Sequence, residues 1–303
     1  MRRTSSGRQA RLILPAIAGV AALALAGCAA DSATEAAPEE TAAASGGEFF
    51  DLLPENIQEA GVLRIGVSAN FPPGNFEDVD GDLDGSEIQL GFALGEVLGV
   101  EIEHVTTNFA GLLTGLEANR FDVVLSGMSD TLEREQQVDF INYINTGSNF
   151  LVPEGNPNDI ETPEDLCGLT AAETIGTTYI DIVTGFSEDC VAAGNEPIEV
   201  QTYQSGPETT QAVSTGRADF SFASMMAHNY FASQSNGALE SVGETYNPQL
   251  TGIVVPKGSE QLIEALQAAL QSMVDSGQTA EIMAEWGLED QILDPVQVNG
   301  ATS

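Results

Sequence analysis

From Val62 onward the chain switches between short apolar runs and longer segments whose apolar residues recur three and four positions apart. Val62–Val67 alternates as a strand does, and Leu90, Leu94, Val97 and Leu98 then share one face of a helix that Gly99 stops. Val100–Val105 reads as the next strand, Asn108 caps a helix carrying Leu112, Leu113 and Leu116, and Phe121–Leu125 is a strand short enough to be buried. Strand, helix, strand, helix, strand predicts a mostly parallel sheet with helices on both faces.

The pattern restarts after Val152-Pro153-Glu154-Gly155-Asn156-Pro157, a turn-rich link. Strands are expected at Leu169–Glu173, Ile198–Tyr203 and Phe220–Ala223, with a helix between the last two that ends at Gly216, and again at Leu250–Val255. Ser259 is expected to cap the most regular helix, in which Leu262, Ile263, Leu266, Ala269, Leu270, Met273 and Val274 form one stripe before Gly277. A last short helix holds Ile282, Met283 and the sole tryptophan, Trp286, at the spacing of a core anchor.

Three loops carry candidate chemistry. Ser68-Ala69-Asn70-Phe71-Pro72-Pro73-Gly74 follows the first strand, at the carboxyl edge where α/β sheets bind ligands; Phe71 either walls a pocket or packs on its own lobe. After Phe121–Leu125 come Ser126, Gly127, Ser129, Asp130 and Thr131, with Arg134 about one turn into a predicted helix. Backbone N–H groups, small hydroxyls and a guanidinium suit a carboxylate, although Arg134 could equally pair with Glu133 or Glu135 on a helix face. Gly176-Thr177-Thr178 opens a further helix and offers the same groups. The acidic turn Asp78–Asp84 lacks EF-hand spacing and reads as a solvated hairpin tip.

Charge and the amino terminus change the picture. Arg2, Arg3, Arg8 and Arg11 precede an apolar run from Leu12 to Ala26, a secretory signal too short for a stable membrane span. Its end, Leu25-Ala26-Gly27-Cys28, resembles the lipobox of bacterial lipoproteins, which implies a signal peptide over 1–27 and lipidation of Cys28. Residues 28–48 are small residues, proline and acids without an apolar period, expected to form a flexible acidic tether. The formal net charge of −37 becomes −41 once the four signal arginines are removed (−37 minus 4), which excludes nucleic-acid and anionic-membrane surfaces as partners. With 42% apolar residues in periodic segments, the chain reads as folded despite that charge. Cys167 and Cys190 remain, and in an exported protein an even pair reads as a disulfide stapling a local loop, worth about 3 kcal/mol. His104 and His228 have no ligand-like spacing, so no metal and no cofactor is expected.

The order of segments resembles the bacterial extracellular solute-binding proteins of family 3, the amino-acid receptors of ABC importers, over nearly the whole chain after the tether. Four pieces carry the resemblance: Gly85-Ser86-Glu87-Ile88-Gln89-Leu90 at the place of a Gly-Phe-Asp-Val-Asp-Leu signature, Gly127 to Arg134, Gly176-Thr177-Thr178, and Gly216-Arg217-Ala218-Asp219. The cysteine pair looks like a feature of actinobacterial members. The resemblance implies an α/β, two-lobed periplasmic-binding-protein fold (type II), each lobe a mostly parallel sheet flanked by helices, joined by two strands crossing near Thr146–Ser148 and Gln249–Thr251. Lobe one is then 49–147 with 251–303, and lobe two 148–250.

It also implies a function without enzymatic activity. The lobes close on a small carboxylate-bearing solute, a polar amino acid or a derivative, and deliver it to an ABC permease with its ATPase. The receptor is a monomer held by its lipid at the extracellular face of the cell membrane. Arg134 clamps the ligand carboxylate, with Ser129 and with Thr178 of the other lobe; Gly127 offers its carbonyl to an ammonium, and Phe71 with Phe109 walls the side chain. Ser68, Thr131 and Thr177 belong to the same loops. Ser86 and Gln89 depart from the signature. Ser224 stands where the family places its ammonium-binding Asp, five residues after Asp219, so either the ligand lacks a free amine or another acid, Glu87 or Asp130, reaches it. Alternatives on the same fold are a cyclohexadienyl dehydratase-like enzyme and a stand-alone sensory binding protein. The enzyme requires a well-placed acid in the cleft, and no distinctive pair of carboxylates marks one in the sequence.

Overall fold

In the computed structural model, which describes residues 46–302, strand alternation builds the layers. The signal sequence, Cys28 and most of the expected tether lie outside the described residues. The 3-10 turn Phe50–Leu52 is closed by the Phe50 N–H on the Gly47 carbonyl at 3.2 Å, so the last residues of the stretch expected to be tether already take part in backbone hydrogen bonding. There follow α1 (Glu55–Ala60), β1 (Val62–Val67), β2 (Asn70–Phe71), β3 (Asn75–Glu77), β4 (Leu83–Asp84), α2 (Ser86–Leu98), β5 (Glu101–Thr106), α3 (Leu112–Glu117), β6 (Val123–Val124) and β7 (Val138–Pro153). The chain continues through β8 (Thr170–Thr174), α4 (Tyr179–Ala192), β9 (Glu199–Tyr203), α5 (Gly206–Ser214), β10 (Ser221–Ser224), α6 (Met225–Gln234), β11 (Leu239–Pro256), α7 (Glu260–Ser276), α8 (Gln278–Glu285) and β12 (Ile292–Val298).

The main sheet runs β10-β7-β11-β6-β1-β5, with β12 also on β7. β1 pairs in parallel with β5 and β6, and β11 is antiparallel to both β6 and β7. Within it Val123, Leu125, Ile253 and Val255 face a core shared with α2 and α7, while Val124 and Val254 face one shared with α3. The second lobe repeats the device: β8 pairs in parallel with β9, Phe150 and Val152 face Val183, Phe186 and Phe222, and Leu151 faces Ala212 and Val213. β7 and β11 run through both lobes; their register shifts between Val242 and Gln249, where β11 is largely exposed.

Several expectations are corrected. No helix follows the Asp130 loop: Arg134–Gln136 is a single 3-10 turn, because the chain enters β7 two residues later and a helix nucleus cannot form in so short a segment. The strand expected over Phe121–Leu125 is paired only at Val123–Val124. Ser259 precedes α7 but its side chain makes no capping bond. Most of β7, the amino-terminal half of β11, and α6 were not visible as elements in the periodicity. The acidic turn is a hairpin tip closed by Asp78, whose side chain accepts the N–H groups of Asp80 and Asp82 at 2.8 and 2.9 Å. Cys167 and Cys190 are joined, tying the chain ahead of β8 to the last turn of α4. Trp286 sits against the first core and donates to Gln89 Oε1 at 3.2 Å.

Candidate functional site

The carboxyl ends of β1 and β6 in one lobe face those of β8 and β9 in the other across a cleft of about 780 Å3 counted out to its mouth. Ser68, Phe71, Phe109, Gly127, Ser129 and Arg134 line the first side; Thr177 and Thr178 line the second. All eight lie in the segments that follow strand ends, at the edge where α/β sheets bind ligands, with Phe71 in the short strand β2 and Phe109 and Arg134 in 3-10 turns. The rims touch: a Cβ on Gly176 would lie 3.1 Å from Ala110, and one on Gly206 would lie 3.2 Å from the Asn70 carbonyl. The lobes are therefore closed on each other.

Arg134 spans the closure. Its Nη1 donates to the Ser129 carbonyl at 2.8 Å in its own lobe, and its Nη2 to the Gly176 carbonyl at 3.2 Å in the other. Neither partner is charged. Burial lowers the guanidinium's pKa from its ordinary value, against the raising influence of Tyr179, Glu133, Asp130 and Asp181. Gly127 has φ +57°, and a Cβ there would fall 2.2 Å from the Phe71 ring, so only glycine allows the aromatic wall to close on this turn.

Three expected ligand residues do not line the cleft. Glu87 lies beneath the loop, 2% exposed, accepting the Gly127 N–H at 2.8 Å together with donors from Tyr143 and Asn75. It holds the loop in place. Thr131 Oγ1 accepts the Arg134 N–H at 3.2 Å and so shapes the turn. Ser224 ends β10, backbone-paired with Ser148, its hydroxyl buried without a hydrogen-bond partner. Asp130, the other acid considered for a ligand amine, is also buried away from the cleft, accepting the Gly300 N–H at 3.0 Å.

The cleft contains an acid that sequence reasoning missed. Glu173, in β8, is 1% exposed and lines the pocket; its Oε1 accepts the Phe222 N–H at 2.8 Å. Burial raises its pKa well above the usual carboxylate range, with only that backbone bond opposing. His228 of α6 lines the same side; burial lowers its pKa to about 3, and its Nδ1 lies 3.0 Å from Asn149 Oδ1, so the imidazole is neutral. An acid in an otherwise small, apolar strand, three residues before Gly176-Thr177-Thr178, was the available signal. Among the described residues, no three His, Cys, Asp or Glu side chains come together as a metal site.

The family model for bacterial extracellular solute-binding proteins, family 3, matches residues 63–289. The chain belongs to that family. It is 34% identical over 255 residues, 83% of each chain, to the arginine-binding protein ArgT of Corynebacterium glutamicum, and 29% identical over 235 residues to the L-cystine-binding protein TcyJ of Escherichia coli, covering 77% of this chain and 85% of that one. Among solved structures, an ancestral arginine-binding protein bound to arginine superposes with a TM-score of 0.70 at 33% identity, over 75% of this chain and 98% of that one. An ancestral amino acid-binding protein described as a precursor of cyclohexadienyl dehydratase gives 0.70 at 29% identity, over 76% and 97%. The two-lobed α/β fold read from the segment order is thus the fold of the family 3 receptors.

Proposed function

We propose that this chain is the extracellular receptor of an ABC importer for a free amino acid, anchored through a lipid on Cys28 and passing its ligand to a permease. The carrying observation is Arg134: a guanidinium in the cleft, fixed by carbonyls of both lobes and lacking a carboxylate partner among the described residues. A ligand carboxylate supplies the missing counter-charge, with the hydroxyls of Ser129 and Thr178 beside it. The amino-acid-binding relatives support the same class. Calorimetry with the L-amino acids and L-cystine should find one that binds stoichiometrically, and Arg134→Ala should weaken it by about thirtyfold or more, the equivalent of about 2 kcal/mol for one side of a desolvated pair. Unchanged affinity in Arg134→Ala would return the residue to a structural role. Intact mass of the membrane-extracted protein should carry the lipid increment, and its absence would remove the anchor.

A second reading is favoured by Glu173. A buried neutral carboxyl group in the cleft is what a general acid needs in order to protonate a departing hydroxyl, as in a cyclohexadienyl dehydratase-like enzyme. Incubation with a cyclohexadienyl carboxylate, followed by the absorbance of the aromatic product, separates the two readings: turnover lost in Glu173→Gln would make the protein an enzyme.

A further inference from the structure

We propose that Glu173 is the residue that receives the ligand's cationic group, so that the ligand is an amino acid whose ammonium or side-chain cation docks on this carboxylate in the second lobe. The inference rests on the receptor reading above. Among the described residues, Arg134 and Glu173 are the only two of opposite formal charge that line the cleft, and they come from opposite lobes. Glu173 has one hydrogen bond among the described residues, on Oε1 from the Phe222 N–H, and no ion-pair partner, so Oε2 is left to be satisfied from the cleft. The other acids that could serve are committed elsewhere: Glu87 is held by three donors beneath the Gly127 loop, and Asp130 accepts from Gly300. Ser224 neither carries charge nor lines the pocket.

Docking a cation there involves one proton. In the closed, ligand-free cleft burial favours the protonated Glu173 carboxyl; where the proton is held, the cation pairs with the carboxylate and the proton leaves to solvent, so the site's net charge is unchanged. The other titratable groups around the cleft are Arg134 on the turn before β7, Tyr179 of α4 and His228 of α6. Burial raises the Tyr179 pKa from 10.0 and holds His228 near 3, so neither changes charge between pH 5.5 and 8. Affinity for the cationic ligand should therefore rise with pH in that range, approaching tenfold per pH unit where Glu173 is protonated in the free protein.

The test is calorimetry on wild type, Glu173→Gln and Arg134→Ala, from pH 5.5 to 8, with the L-amino acids and L-cystine. L-arginine is compared with L-citrulline, 5-guanidinopentanoate and agmatine, to separate the side-chain cation, the α-ammonium and the carboxylate. Glutamine can keep the bond from the Phe222 N–H, so the variant should fold, which its unliganded thermal transition checks. The expected result is at least tenfold weaker binding of the wild type's tightest ligand by Glu173→Gln, with no pH dependence left. Binding by Glu173→Gln within threefold of wild type overturns the assignment while leaving the receptor reading standing. If wild type binds no amino acid at all, the receptor reading fails and this one falls with it.

Discussion

Replacing Glu87 by glutamine should change stability by no more than about 1 kcal/mol, whereas alanine should cost about 3 to 6 kcal/mol. The carboxyl group takes the Gly127 N–H at 2.8 Å and the Tyr143 O–H on Oε1, and Asn75 Nδ2 on Oε2, while Asn75 Oδ1 has no partner. Burial raises the Glu87 pKa, so the neutral acid is the form the site favours. Glutamine can place its carbonyl where Oε1 stands and its amide opposite Asn75, whose own amide turns over so that its free oxygen accepts. The Gly127 N–H and the Tyr143 O–H then keep their acceptor.

Alanine removes the acceptor from three donors, at least about 1 kcal/mol each, and leaves a cavity under the ligand loop. Against a total stability of about 5 to 15 kcal/mol, and at about 2 to 4 °C per kcal/mol, Tm should fall by about 6 °C or more. Thermal and urea unfolding followed by circular dichroism measure both variants, and Tyr143→Phe, which removes one donor, should fall between them. Destabilisation by Glu87→Gln as large as by Glu87→Ala would show that an ionised carboxylate holds the loop, and would refute the reasoning.

Burial raises the Asp130 pKa to about 6, so the folded protein keeps this proton to higher pH than the unfolded chain does; the resulting stability is full below about 3.8 and lost as pH rises through about 6. Wild type should melt higher at pH 5 than at pH 7, and Asp130→Asn should shrink that difference; an unchanged difference counts against it. Asp139 and Asp165, whose carboxyls are held below the usual range, lose their contributions only at more acidic pH. Gly127→Ala places a methyl group 2.2 Å from the Phe71 ring at φ +57°, so either the turn or the wall must move. Calorimetry should show ligand affinity about fivefold to thirtyfold lower, from strain of about 1 to 2 kcal/mol; wild-type affinity would mean that Phe71 is not a wall.

What the sequence made legible follows from burial on one side. β1, α2 and α7 bury one face or stripe and end at a turn or a glycine, so period and punctuation agree. β7 is buried along nearly its whole length, on both faces, and Asn142, Thr146, Ser148 and Asn149 interrupt its apolar residues, which erases the alternation and the simple run alike. α6 begins directly after β10 with no side-chain cap to announce it. The loop residues Phe71, Gly127, Ser129, Arg134, Thr177 and Thr178 could be picked out because each sits in a local strand-to-loop signature. Glu173 offered only the weaker signal of an acid within a strand of small residues, since its significance comes from the strand across which it faces and from the burial that isolates it.

Arg134 and Glu173 together explain why closure should depend on a zwitterion. Arg134 reaches across to Gly176 of the second lobe, but only carbonyl dipoles and acids that do not pair with it directly offset the cost of burying its charge. Glu173 meets the same problem in the opposite lobe by holding a proton. A ligand with only a carboxylate compensates the guanidinium and leaves Glu173 neutral; one with only a cation does the reverse. On the proposed reading, a molecule carrying both completes an ion pair with each lobe and stabilises the closed form over the open one by its differential contacts. The pair therefore sets selectivity through the same step that closes the receptor, and substituting either residue should loosen closure together with affinity.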